Sequence, residues 1–372
     1  MPDPHAPDHS ALLRRSIEVI TGNQHSSGAY PACPEYEVYR YSWLRDGSFV
    51  AEAASRAGAA GSADAFHRWS AKVLTDRSAR IEKLIAAARR GEQPTEGDRL
   101  PTRYTLEGGD TGEVGWWDFQ LDGYGTWLWA LTEHLARHEG DHAPYRDAVR
   151  LTIGYLAASW ATPCYDWWEE YADQVHGATL GAIRGGLHAV RASGMAASVG
   201  LDDVCADTVD AIDAMIEERG LFDGHLAKWL GSKQVDGSLL ACLTPFGNVP
   251  LDGPVARATV HAVELDIAQP DGGVYRYLGD TFYGGGQWPV LAGFLGWHYA
   301  RTGRRDDALR ELDWIAAQAT AEHLLPEQAP GVRLQAPRRL PEWEERWGPN
   351  ATPLLWSHAM YLILADELGV TP

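Results

Sequence analysis

Apolar residues recur along this chain with a helical period, while period-two alternation of β-branched residues is nearly absent. The spacing is clearest at residues 124–135, where Tyr124, Leu128, Leu131 and Leu135 fall at i, i+4, i+7 and i+11 on one face. The same reading predicts helices over residues 10–21, 48–56, 63–90, 145–160, 176–192, 204–218, 255–265, 288–301, 304–320 and 354–368. Their connections alternate short and long. The long ones, residues 22–47, 91–122, 269–287 and the stretches around DWWEE and LLPEQ, are rich in aromatic residues, glycine and proline and recur after every second helix. In a closed ring of helical hairpins, connections of one parity emerge at one end. The pattern therefore predicts an all-α fold, an (α/α)6 barrel formed by residues 1–372 as a single domain, with the long loops around one mouth and residues 1–9 as a flexible lead.

Composition narrows what that mouth would bind. Sixteen tryptophans and fifteen tyrosines stand against seven phenylalanines. A core needing only bulk would draw more on phenylalanine, whereas rings with a polar atom suit a cleft that stacks on apolar faces and bonds hydroxyl edges, as a sugar demands. A formal net charge of -19 argues against nucleic acid or an anionic membrane surface as partner and favours a neutral small saccharide. The four cysteines, Cys33, Cys164, Cys205 and Cys242, form no CxxC pair, so no metal or redox motif is indicated. The first twenty residues place prolines and acids where a signal peptide has a basic run and an apolar core, and no window is apolar enough to span a membrane. The expectation is a cytoplasmic protein; its oligomeric state is not legible.

Residues 164–179, CYDWWEEYADQVHGAT, set two adjacent carboxylates behind two tryptophans where a loop is expected to turn into a helix. A carboxyl against indole rings loses solvation of its charged form, so its pKa rises as a general acid requires. The plainer alternative is a helix start, with acids favoured by the helix dipole. Arg45 and Asp46 in YSWLRDG read either as a helix cap with a solvated arginine or as charged clamps on sugar hydroxyls. Arg276 and Asp280 in VYRYLGD carry the same two readings, and the glycines after them lack the GK[ST] of a phosphate loop. Glu327 in LLPEQ, after a proline at the end of an apolar run, is well placed to face a cleft. His134 and His138 have metal-pair spacing, but EHLARH lacks the HExxH pattern and is expected on a solvent face. No serine has glycine two residues away on both sides, which excludes the nucleophile elbow of α/β-hydrolases.

Five blocks in this order resemble glycoside hydrolase family 15, the glucoamylase-like inverting enzymes: YSWLRDG, WWDFQLDGYGTWLWA, DWWEEY, GGVYRYLGDTFYGGGQWP, and LLPEQ with TPLLWSHAMYLI. The likeness runs from about Tyr36 to the C-terminus. It implies Glu169 as general acid and Glu327 as general base, with Arg45, Asp46 and Arg276 on the nonreducing-end glucose. It also implies Glu170 and Trp168 around the scissile bond, Tyr39 beside the base and its water, and Trp43, Trp116 and Trp288 lining the substrate. An inverting glycosidase needs one protonated carboxyl for the leaving oxygen and one carboxylate for water, about 6.5 to 9.5 Å apart, and no metal or cofactor.

The chain departs from many members in its closing block, GPNATPLLWSHAM, and has room for neither an N-terminal β-sandwich nor a starch-binding module. It looks most like the short, single-domain members that act on isomaltose. The resemblance thus implies an exo-acting hydrolase releasing β-glucose from short α-1,6-linked glucosides. An α-1,4-specific glucoamylase or a trehalase of the same family, a sugar-binding protein without turnover, and a helical scaffold without a ligand remain as rivals.

Overall fold

The computed structural model describes residues 9–92, 95–112, 119–331 and 333–371. Six helices form an inner ring: α2 (Leu44–Arg56), α5 (Asp122–Arg137), α7 (Gly177–Ala192), α10 (Leu240–Leu243), α12 (Pro289–Arg301) and α15 (Leu355–Glu367). Each packs on the next, and α15 returns to α2, closing the ring. Outside lie α1 (His9–Gly22), α3 (Ala60–Thr75), α6 (Arg146–Ser159), α9 (Asp202–Arg219), α11 (Pro254–Asp266) and α13 (Arg305–Ala317). Three further helices, α4 (Ser78–Arg89), α8 (Met195–Ser198) and α14 (Leu340–Trp347), stand apart from this double ring. The architecture is an (α/α)6 barrel.

Burial follows from which ring a helix joins. Outer helices bury one stripe: Ala256, Thr259, Val260 and Val263 on α11, and Ala308, Glu311, Leu312 and Ile315 on α13, both at i, i+3, i+4, i+7. Inner helices are covered all round, α12 from Pro289 to Tyr299 and α15 from Leu355 to Ala365. Phe49 of α2 sits at the centre, within ring contact of Trp129, Trp167, Phe246, Phe294 and Trp356. The barrel axis is thereby filled with aromatic side chains rather than left as a channel.

The loops that enter the inner helices converge at one end. Three two-residue antiparallel ladders brace them: β1 (Ser42–Trp43) with β2 (Arg103–Tyr104), β3 (Leu221–Phe222) with β4 (His225–Leu226), and β5 (Val274–Tyr275) with β6 (Gln287–Trp288). The registers Ser42↔Tyr104 and Val274↔Trp288 fix Trp43 and Trp288 just before α2 and α12 begin.

Several sequence expectations shift. The run read as one helix over 63–90 is α3 and α4, broken at Arg77, whose side chain turns to Val73 O, Gly108 O and Asp110. DWWEE does not start a helix, since α7 begins only at Gly177. His134 is buried rather than solvent-facing because α5 is an inner helix; it meets the Ser55 hydroxyl at 3.0 Å and Asp64 at 3.3 Å, while His138 is exposed. The segment after LLPEQ holds α14, which the polar sequence concealed. Among the described residues no helix is long and apolar enough to cross a membrane.

Candidate active site

The entering loops enclose one pocket whose wall includes Tyr39, Trp43, Arg45, Asp46, Trp168, Glu169, Glu170, Arg276, Trp288 and Glu327. Of the residues implicated by the sequence, Trp116 lies outside the described residues, and Asp280 stands behind the wall, pairing with Arg276. Trp167, Phe282, Trp343, Trp347 and Trp356 also line the pocket. Sequence reasoning assigned none of these five to the site, because an aromatic residue on a helix or beside a named neighbour reads as core.

Asp166 builds the turn that carries the acids. Its Oδ1 accepts from the backbone N–H groups of Trp168 and Glu170, and its own N–H donates to Glu170 O. The turn forces Glu169 to φ +62°, a left-handed conformation uncommon for a residue with a side chain. Behind it the Trp168 indole N–H is shared by both oxygens of Asp236 at 3.0 Å, and buried Lys228 lies 2.8 Å from Asp236. The two residues next to Glu169 are therefore held from behind by residues of the 223–250 segment and by Asp166.

Glu169 is half-buried and accepts from the Trp43 indole N–H at 2.8 Å. Burial pushes its carboxyl up to about 7, against the pull of Arg45 and of the Trp43 hydrogen bond. Glu327 is 4% exposed and takes part in a hydrogen bond with Tyr39. Burial raises it to about 8; Tyr39 and Arg276 oppose that shift, and the charges of Asp46 and Glu169 add to it. Two carboxyls thus share one desolvated space, each disfavouring ionisation of the other.

The floor is charged but fully enclosed. Arg45 donates to Gln120 at 2.9 Å and to Asp122 at 3.0 Å, and its guanidinium lies over the rings of Trp167 and Trp356. Asp46, its neighbour in the first turn of α2, is pushed up to about 6 by burial, with Arg45 holding it down and Asp122 raising it further. Arg276 is clamped by Asp280 and packs over Trp168, Phe282 and Trp288, while reaching 3.4 Å to Glu170. Glu170 also accepts from the Tyr277 hydroxyl.

Several polar atoms of this lining have no hydrogen-bond partner in the protein: Glu327 Oε2 and the indole nitrogens of Trp167, Trp288 and Trp356, while Arg45 Nε and Asp46 Oδ2 face each other as an ion pair at 3.3 Å. Buried donors and acceptors left without partners cost stability unless a ligand engages them. Their mixture, with charged groups at the bottom and aromatic faces around the sides, suits a ring with hydroxyls at its edge and C–H groups on its faces. Among the described residues no three His, Cys, Asp or Glu side chains are grouped so as to hold a metal ion.

A sequence model described as glycosyl hydrolases family 15 matches residues 6–325. Isomaltose glucohydrolase from Kribbella flavida is 51% identical over 97% of this chain and 93% of its own. A wild-type glycosidase of known structure superposes with a TM-score of 0.94 at 50% identity, covering 98% of both chains. A bacterial glucoamylase complexed with acarbose superposes over 97% of this chain and 56% of its own, with a TM-score of 0.72; at 18% identity that likeness concerns the fold alone.

Proposed function

Because the chain belongs to glycosyl hydrolases family 15, we propose that its pocket hydrolyses short α-1,6-linked glucosides such as isomaltose from the nonreducing end, releasing β-glucose by inversion. The observation that carries the reading is that Glu169 and Glu327 line one pocket together with Arg45 and Asp46. The choice of linkage rests on the 51% identical relative, which is an isomaltose glucohydrolase.

In this mechanism the nonreducing glucose enters first. Arg45, Asp46 and Arg276 take its hydroxyls through charge-assisted bonds, which penalise a misplaced hydroxyl heavily. Glu169, in its protonated form, gives its proton to the glycosidic oxygen as the C1–O bond breaks. Glu327 takes a proton from the water that attacks C1 from the opposite face, with Tyr39 holding the carboxylate in place. The starting state is regenerated when Glu327 gives up the proton it gained and Glu169 takes one back through solvent. The pocket works while the pair holds one proton: a second disables the base, and loss of the last disables the acid.

A proton NMR time course with purified protein and isomaltose tests this directly. β-Glucose is expected in excess of the anomeric mixture that the reducing unit brings; an excess of α-glucose would exclude inversion, and faster turnover of maltose or trehalose would move the linkage. Glu169→Gln and Glu327→Gln are each expected to lower kcat about 10²- to 10⁴-fold while glucose still binds. Normal turnover in either variant would remove that residue from its role.

A further inference from the structure

The mouth of the pocket is closed on one side by α14, an element outside the double ring of helices. Its eight residues, LPEWEERW, are amphipathic: Leu340, Trp343 and Trp347 are half-buried at i, i+3 and i+7, and the residues between them are exposed. Trp343 and Trp347 turn toward the pocket and line it together with Phe282. The helix is tied down at several points. The Trp343 indole N–H donates to Thr281 O at 2.8 Å, the Tyr283 hydroxyl donates to Gly348 O at 2.9 Å, and Ala336 N–H donates to Gly284 O at 2.8 Å. Phe282 meets Trp343 and Trp347 edge-on at 5.0 and 6.4 Å, and Tyr283 stacks on Trp343.

Burial orders the pocket from floor to rim. Arg45, Asp46, Trp356 and Glu327 are all within a tenth of full burial, whereas Trp343 and Trp347 are only half-buried. A substrate whose nonreducing end occupies the floor leaves its departing portion at the rim. We propose that Trp343 and Trp347 form a platform for the leaving-group sugar, stacking on the apolar face of the pyranose ring that departs, so that α14 sets the affinity for a disaccharide's second unit. This rests on the hydrolase reading above and adds to it a specificity role for two residues that make no contact with the bond being broken. Aromatic faces serve this purpose because they bury C–H groups while leaving hydroxyls free at the rim.

The test compares isomaltose with α-glucosyl fluoride, whose leaving group is too small to reach α14. With the fluoride, the C1–F bond breaks as water oxygen bonds C1, Glu327 takes the water proton and fluoride departs. In Trp343→Ala and Trp347→Ala, kcat/KM for isomaltose is expected to fall about tenfold, mainly through KM, while the rate on the fluoride stays within about twofold. Trp347→Phe, which keeps a ring in place, is expected to recover most of the loss. An equal loss on both substrates, or an unchanged rate on isomaltose, overturns the platform. Wild-type protein inert toward both substrates overturns instead the hydrolase reading on which it rests.

Discussion

Glu169 meets two opposing influences whose balance sets when it holds its proton. Burial raises it to about 7 against the pull of Arg45 and of the Trp43 indole hydrogen bond. Trp43→Phe removes the donor and leaves the ring's bulk. The ionised form loses a charge-assisted bond of about 1.5 kcal/mol, equivalent to about one pKa unit. A general acid works while protonated and is lost as pH rises through its pKa, so the alkaline limb of kcat/KM is expected to move up by about one unit. A limb that stays or moves down would argue that the acid lies elsewhere. At this scale the sequence disclosed residues that advertise themselves by adjacency, such as Arg45 with Asp46 and Glu169 with Glu170. It did not disclose their supports. Arg45 finds Asp122 77 residues further on and Trp168 finds Asp236 68 residues on, and no local pattern marks such partners.

At the scale of elements, the inner ring depends on how closely its helices approach. A Cβ placed on Gly186 of α7 would lie 2.2 Å from Gly125 O of α5, and one on Gly125 would lie 2.3 Å from Ala182 O. Both obstacles are backbone carbonyls, which cannot swing aside as a side chain would. Gly186→Ala is therefore expected to push α5 and α7 apart at a cost of about 1–3 kcal/mol, read as a lower midpoint in denaturant unfolding. An unchanged midpoint would mean that the two helices have slack at their crossing. The periodic helices were legible because each buries a continuous stripe, and the alternation of short and long connections gave the barrel. The misreadings have physical causes too. Four charges in eight residues hid α14, whose burial involves a loop rather than the core. The WWEE run looked like a helix start because acids favour one, but Asp166 captures the backbone N–H groups of Trp168 and Glu170 and holds a turn instead.

At the scale of the whole molecule, core and site are one aromatic body. Phe49 packs at 5.5 Å on Trp356, 6.3 Å from Trp167 and 5.1 Å from Phe294, so helices from both ends of the chain meet on a single ring. Trp167 and Trp356 also meet the Arg45 guanidinium at the pocket floor. On the proposed reading, stability and substrate binding are coupled through this stack, because the surface that closes the ring between α2 and α15 also packs on Arg45. Phe49→Ala leaves a cavity under both tryptophans and is expected to cost about 3–5 kcal/mol. Well below its unfolding temperature the variant should remain folded but hold Arg45 less firmly, so KM for isomaltose should rise more than kcat falls. Stability measured by denaturant unfolding and KM measured on the same preparation separate the two effects. A destabilised variant with wild-type KM would mean that Asp122 and Gln120 alone hold the arginine in place and that the aromatic stack serves folding only.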